Sequence, residues 1–198
     1  MTDLLPLLLF SISTLLTPGP NNFMLLNSGV NFGIKRSVPH YLGICLGFPT
    51  MVLMVALGFG TLFLTYTWLK DVLKVIGCLY MLYLSWRIMF AATNNNTKTN
   101  ALKPFSFLQA VCFQWINPKA WLMAISAISI FTLAVDYFHN ALAISTILLL
   151  TCLPCLGIWL LFGAILQKIL KQEKYQKWFN RLMGACLAIS TIMIFIDT

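Results

Sequence analysis

Charge is what this chain has least of. Only 9% of its residues are Asp, Glu, Lys or Arg, against 60% hydrophobic, and the mean hydropathy is +0.86. The polar side chains needed to cover a water-soluble globule of 198 residues are missing, which argues against a soluble domain. Acidic residues are scarcest: Asp3, Asp71, Asp136, Glu173 and Asp197 are all there are, and each falls at the end of an apolar stretch or in a connection. A basic leader is lacking as well. Asp3 stands where the n-region of a cleavable signal belongs, and no small-x-small site follows the first apolar run, so the sequence predicts no ordinary signal peptide.

What is present is a series of apolar stretches near the length of about 20 residues that spans a bilayer core. Six spans are predicted, at 4–27, 38–65, 70–92, 105–132, 141–166 and 177–196. The fold class expected is all-α: a polytopic membrane protein of six transmembrane helices, forming one domain over 1–198. Residues 1–92 make one three-helix half and 105–198 the other, joined by the polar, unpatterned linker 93–104. Within the second span, Gly43-Ile-Cys-Leu-Gly47 has the small-xxx-small spacing that lets helix backbones approach, and Gly58 and Gly60 loosen its far end.

The net charge of +8 does not form a nucleic-acid-binding face, because Lys and Arg collect at span ends. Lys35, Arg36, Arg87, Lys98, Lys103, Lys168, Lys171, Lys174, Lys177 and Arg181 fall on one side, and only Lys70 and Lys74 on the other. By the positive-inside rule the first side is cytoplasmic, which puts both termini outside. The sequon Asn95-Asn96-Thr97 then carries no meaning. The basic run before the last span interleaves Tyr175, Trp178 and Phe179, and attraction to anionic membrane lipid accounts for it better than RNA does.

Cys45, Cys78, Cys112, Cys152, Cys155 and Cys186 all fall inside predicted spans. Cys152-Leu-Pro-Cys155 has redox or metal spacing, yet no histidine is near it, and buried cysteine ordinarily acts as a small hydrophobe. No metal and no cofactor are expected.

Two helix breaks carry the functional argument. Thr17-Pro18-Gly19-Pro20-Asn21-Asn22 interrupts the first span. Its prolines donate no amide hydrogen and clash with the carbonyls of Thr14 and Leu16. Asn21 or Asn22 is expected to cap a fresh half-helix. In the fourth span, Gln114-Trp115-Ile116-Asn117-Pro118-Lys119-Ala120 repeats the logic, with Asn117 suited to the N-cap and Pro118 to the first helical position. Both breaks fall near mid-depth at about 1.5 Å per residue. Three spans precede the linker and three follow it, so the halves enter the membrane from opposite sides, an inverted 3+3 repeat. Broken helices at matching places in inverted halves point to a transporter's central site.

Lys119 sharpens that reading. A lysine at a bilayer centre costs about 2.5–3.5 kcal/mol on insertion scales, and the start of a half-helix is the positive end of its dipole. Three accounts are open: a substrate carboxylate supplies the missing charge, the lysine cycles a proton, or it pairs with helix-end carbonyls in a wet vestibule. Arg87 is read as snorkelling, and His40 as a solvated interfacial histidine. Thr14, Thr17, Asn27, Gln109 and Gln114 are polar groups that either face inward or satisfy backbone.

At these residues the chain resembles the LysE/RhtB family of amino-acid exporters. Thr17-Pro18-Gly19-Pro20-Asn21 is similar to the family's first-span signature and Asn117-Pro118-Lys119-Ala120 to that of its fourth span. Gly77-Cys-Leu-Tyr80-Met-Leu-Tyr83-Leu-Ser-Trp86 is similar to its third-span pattern. Asn21-Asn22, and Ser106-Phe107 ahead of Phe113-Gln114-Trp115-Ile116-Asn117, resemble the branch exporting cysteine and O-acetylserine. The resemblance implies efflux of small amino acids or derivatives (threonine- or homoserine-like ones among them) across a bacterial inner membrane. It further implies proton-gradient drive and a homodimer. No Gly-x-x-x-x-Gly-Lys-Ser/Thr loop is present, so an ion gradient or downhill flow must supply the energy. On this reading the chain is not an enzyme. Its substrate-binding residues are Thr17, Pro18, Gly19, Pro20, Asn21, Asn22, Gln114, Asn117, Pro118 and Lys119. The rivals are a thiol-redox electron carrier on a related scaffold and a structural subunit. A variant lacking all six cysteines separates the first: export of labelled amino acid continues in an exporter and stops in a thiol relay.

Overall fold

The computed structural model describes residues 4–60, 65–66, 68–91, 103–132, 136–170 and 172–197. The linker 93–104 therefore lies outside the described residues, except for Lys103 and Pro104. Seven helices follow in order: α1 (Leu4–Leu16), α2 (Pro20–Met54, continued by a π-helical turn over Val55–Phe59), α3 (Trp68–Met89), α4 (Phe107–Ile116), α5 (Pro118–Phe131), α6 (Tyr137–Ile169) and α7 (Glu173–Asp197). The all-α expectation holds among the described residues. Three stretches, Pro20–Phe59, Asp71–Met89 and Tyr137–Ile169, are long and apolar enough to cross a membrane, while α1, α4 and α5 are apolar but short.

The sequence boundaries need one large correction. Residues 28–37, expected between the first two spans, are helical throughout apart from a bend at Gly33. That residue has φ 71 and ψ 179, a left-handed conformation that glycine adopts without penalty. A Cβ there would also meet Gln167 Oε1 at 3.0 Å. The polar residues of this stretch find partners: Asn31 donates to the Asn27 carbonyl at 2.9 Å and to Asn180 Oδ1 at 3.0 Å. With those groups satisfied, nothing forces the helix to end. The loosening expected at Gly58 is present as the π-helical turn, where Gly58 has φ 113.

Two apolar cores organise the packing. The larger joins α1, the second arm of α2, α4, α5 and α6 through Leu7, Phe48, Met51, Ala124, Leu148 and Leu156. The smaller joins the first arm of α2 to α3, α4 and α7 through Val30, Met81, Phe113, Phe179 and Leu187. Outward faces are apolar too. Leu79 is 62% exposed, Ile130 63% and Ile196 74%, a surface suited to lipid and not to water.

Close backbone approach holds the cores together. The Gly43 and Gly47 face of α2 lies on α4, where added methyl groups would meet Ala110 Cβ at 2.6 Å and Val111 Cα at 2.9 Å. Gly77 of α3 rests directly on the Ile116 carbonyl and on Pro118, so α3 backs the junction between α4 and α5. Hydroxyls tie the long helices: Ser145 donates to the Pro49 carbonyl at 2.6 Å, Tyr41 to Leu153 at 2.7 Å, and Ser85 to Gly184 at 2.6 Å.

Gly77→Val should lower stability in detergent by about 1–3 kcal/mol, since the new side chain overpacks against the Ile116 carbonyl. Gly157→Ala, whose Cβ meets only Tyr41 Oη at 3.7 Å, should instead gain about 0.5–1 kcal/mol as a better helix residue. Thermal unfolding of the purified variants measures both.

Candidate functional site

The first break forms because α1 runs out of amide donors. Thr17 N still reaches the Ser13 carbonyl at 3.0 Å, and Thr17 Oγ1 reaches the same oxygen at 2.6 Å, but neither Pro18 nor Pro20 can continue the ladder. The new helix starts earlier than expected. Gly19, extended at φ −177, is the N-cap and Pro20 the first helical residue, so neither Asn21 nor Asn22 is the cap. Proline's preset φ makes it the better first residue, which frees both asparagine side chains for other partners. Gly19 is needed for space: a Cβ would stand 2.8 Å from Lys119 Cδ and Nζ.

The second break matches its expectation. Asn117 (φ −86, ψ 106) caps α5 by accepting from Lys119 N at 3.1 Å, and Pro118 is the first helical residue. On the near side, α4 opens with a capping box in which Ser106 and Gln109 exchange bonds of 3.2 and 3.0 Å. Gln109 is therefore an exposed capping residue and not an inward one.

The two breaks meet. Lys119 Nζ donates to the Thr17 carbonyl at 2.7 Å and to the Pro18 carbonyl at 3.2 Å. Asn21 Nδ2 donates to Gln114 Oε1 at 2.8 Å, and Gln114 Nε2 returns a bond to Asn21 Oδ1 at 3.3 Å. Asn22 Nδ2 closes the Leu15 carbonyl at 2.8 Å. These junction bonds fall beside the Thr14 and Leu16 carbonyls that the sequence singled out. The electrostatics are complementary: a cation at the unfavourable start of α5 sits against the negative carbonyl end of α1. An ammonium has three donors and two are used. The first-turn amides of Asn21 and Asn22 have no partner within their own helix, whereas Lys119 N and Ala120 N both return to Asn117. Between the breaks lies a cavity of about 20 Å³ lined by Thr14, Asn21, Asn22, Asn117 and Lys119 among others. That is room for about one or two waters, so the junction is closed in this conformation.

A family profile described as LysE type translocator matches residues 12–197, both breaks included. The chain belongs to this family. The translocator is 33% identical over 193 residues to the cysteine/O-acetylserine efflux protein of Klebsiella pneumoniae, covering 96% of this chain and 95% of that one. The proteins of the same name from Salmonella typhimurium and Escherichia coli are 29% and 28% identical, each over 94% of both chains. No solved structure matches. Together, this membership and the apolar helices identify a membrane protein.

Within the translocator, the candidate residues divide by role. Asn21, Asn22, Asn117 and Lys119 reach the junction cavity; Gln114 stands behind Asn21; Thr17 and Pro18 are exposed and contribute carbonyls; Gly19, Pro20 and Pro118 shape the backbone. Thr14 Oγ1 serves the Phe10 carbonyl at 2.7 Å. His40 is not solvated. It is 2% exposed and packs on Phe105, with ring centroids 5.2 Å apart, because the chain leading into α4 folds over it. Sequence reasoning missed an amide cluster in which Asn180 Oδ1 accepts from Asn27 at 3.0 Å and Gln176 donates to Asn31 at 3.3 Å. The i, i+4 spacing of Asn27 and Asn31 was its signal, and the basic run around Gln176 hid the partner.

Gln114→Ala should cost about 1–3 kcal/mol by leaving Asn21 unpaired, and Asn117→Ala about 1 kcal/mol through the lost cap. Denaturation in detergent checks both, with the larger loss expected at Gln114.

Proposed function

We propose that the chain is a secondary exporter of small amino acids, of the cysteine and O-acetylserine kind, in a bacterial inner membrane. The observation that carries this reading is the junction of the two breaks: a lysine, two carbonyl-bearing turns and two sets of side-chain amides around one closed cavity. The third Lys119 donor and the first-turn amides of Asn21 and Asn22 would take the substrate carboxylate. The carbonyls at the end of α1, including those of Thr14 and Leu16, would receive its ammonium group. Lys119 then exchanges its present carbonyl partners for substrate, which opens the cavity.

The six-span inverted repeat belongs to the same proposal. Its support is in the pairing of helices: α2 packs on α6 along both arms, the second through Ser145 on the Pro49 carbonyl, and α3 packs on α7, a pattern in which the second element of one half meets the second of the other, and the third meets the third. The two halves, 1–92 and 105–198, rock about the junction to alternate access, with both termini outside and protons as the coupling ion. Lys119 supports the last point as the ionisable side chain lining the junction cavity.

Inside-out membrane vesicles holding the protein should accumulate labelled O-acetylserine or cysteine, and dissipating the proton gradient should stop them. Lys119→Ala should cut the initial rate at least tenfold, a loss of about 1.4 kcal/mol or more in transition-state terms. Unchanged uptake in that variant removes the lysine from the mechanism.

A further inference from the structure

A second cavity, larger than the first and sharing no residue with it, opens between α2, α3 and the segment leading into α4. Its volume is about 60 Å³, and it is lined by Asn27, Ser28, His40, Arg87, Lys103 and apolar groups such as Met24 and Phe105. By volume it holds roughly four to six waters, three times the room at the junction. The functional reading above gives it no role.

Its chemistry is one-sided. Two permanent cations, Arg87 and Lys103, are both exposed at its rim, and no acidic side chain is among the described residues that line it. Deeper in, His40 is 2% exposed, and its Nδ1 has no hydrogen-bond partner among the described residues. A buried imidazole nitrogen left this way is costly until a water or a ligand in the cavity supplies its partner. Ser28, 2% exposed, adds a hydroxyl to the same wall. Asn27 gives its N–H to Asn180 at 3.0 Å, which leaves its side-chain oxygen as an acceptor. An anionic group that also carries a donor satisfies every one of these walls, and an α-amino acid is such a group.

The position fits as well. Ser28, Met24 and Asn21 follow one another along one arm of α2, and His40, Ile44 and Phe48 along the other; in each series the first residue lines the larger cavity and the last the junction cavity. From Ser28 to Asn21 is seven residues of helix, about 10 Å. Met24 and Phe113, in one apolar cluster, lie along the way.

We propose that this cleft is a loading site, which takes the carboxylate of an amino acid at the basic face before the substrate passes to the helix breaks. Arg87 and Lys103 draw in and hold the carboxylate, His40 and Ser28 complete its hydrogen bonds, and the Asn27 oxygen accepts from the ammonium group. The proposal rests on the exporter reading.

The test uses inside-out membrane vesicles, in which the basic face is outside, with labelled O-acetylserine as probe. Arg87→Gln and Lys103→Gln should each raise the half-saturating concentration about five- to tenfold, with the maximal rate preserved, and Arg87→Lys should recover most of the loss. Lys74→Gln, a charge removed from the opposite face, should change nothing. Lys103 is exposed, so its variant folds even where Arg87→Gln does not. Wild-type vesicles that take up no amino acid overturn the exporter reading and the loading site together. Wild-type uptake with unchanged half-saturation in both Gln variants overturns the loading site alone, as does an equal rise in Lys74→Gln.

Discussion

One ammonium group, that of Lys119, holds the two breaks of this protein in register. Its bonds to the Thr17 and Pro18 carbonyls join the end of one helix to the beginning of another, distant in the chain. A charge in apolar surroundings is expensive, and so are carbonyls stripped of their amide donors. Each liability relieves the other. The prolines make the carbonyls available, Gly19 lets the lysine stem pass, and Asn117 fixes the turn from which the lysine springs.

The rest of the architecture serves that meeting. Gly77 lets α3 lie directly on the carbonyl of Ile116, behind the junction between α4 and α5. The reciprocal amides of Asn21 and Gln114 tie the first turn of α2 to α4 at the same level. A junction held by hydrogen bonds and one cation is suited to exchange. On the proposed reading, every bond that closes the cavity has a counterpart in an amino acid's carboxylate or ammonium, so opening it with substrate would cost less than opening it with nothing. The wider cleft at the basic face lies along the same two arms of α2, which gives the helix bent at Gly33 a part in both places.

The legible portion of the site was the part with local causes. Proline stops helices whatever surrounds it, so both breaks were visible, and Asn117-Pro118 announced a helix start that the fold contains. Asn21 and Asn22 misled because an asparagine after a break resembles a cap, while Pro20 had already begun the helix, with its cap two or three residues sooner at Gly19. His40 misled for a different reason: burial depends on what folds over a residue, and Phe105, 65 positions later, does so.

By itself, the sequence determined that the protein is helical and apolar, that two of its helices are interrupted, and that a lone lysine stands at one interruption. Those follow from composition, proline chemistry and spacing, all of which act within a few residues. Only the tertiary structure decided which carbonyls the lysine would take, which amides would pair, that residues 28–37 would stay helical, and that a basic cleft would form beside the junction. Each of these depends on groups brought together from far apart in the chain. The choice among partners is made by which buried polar group would otherwise go unsatisfied.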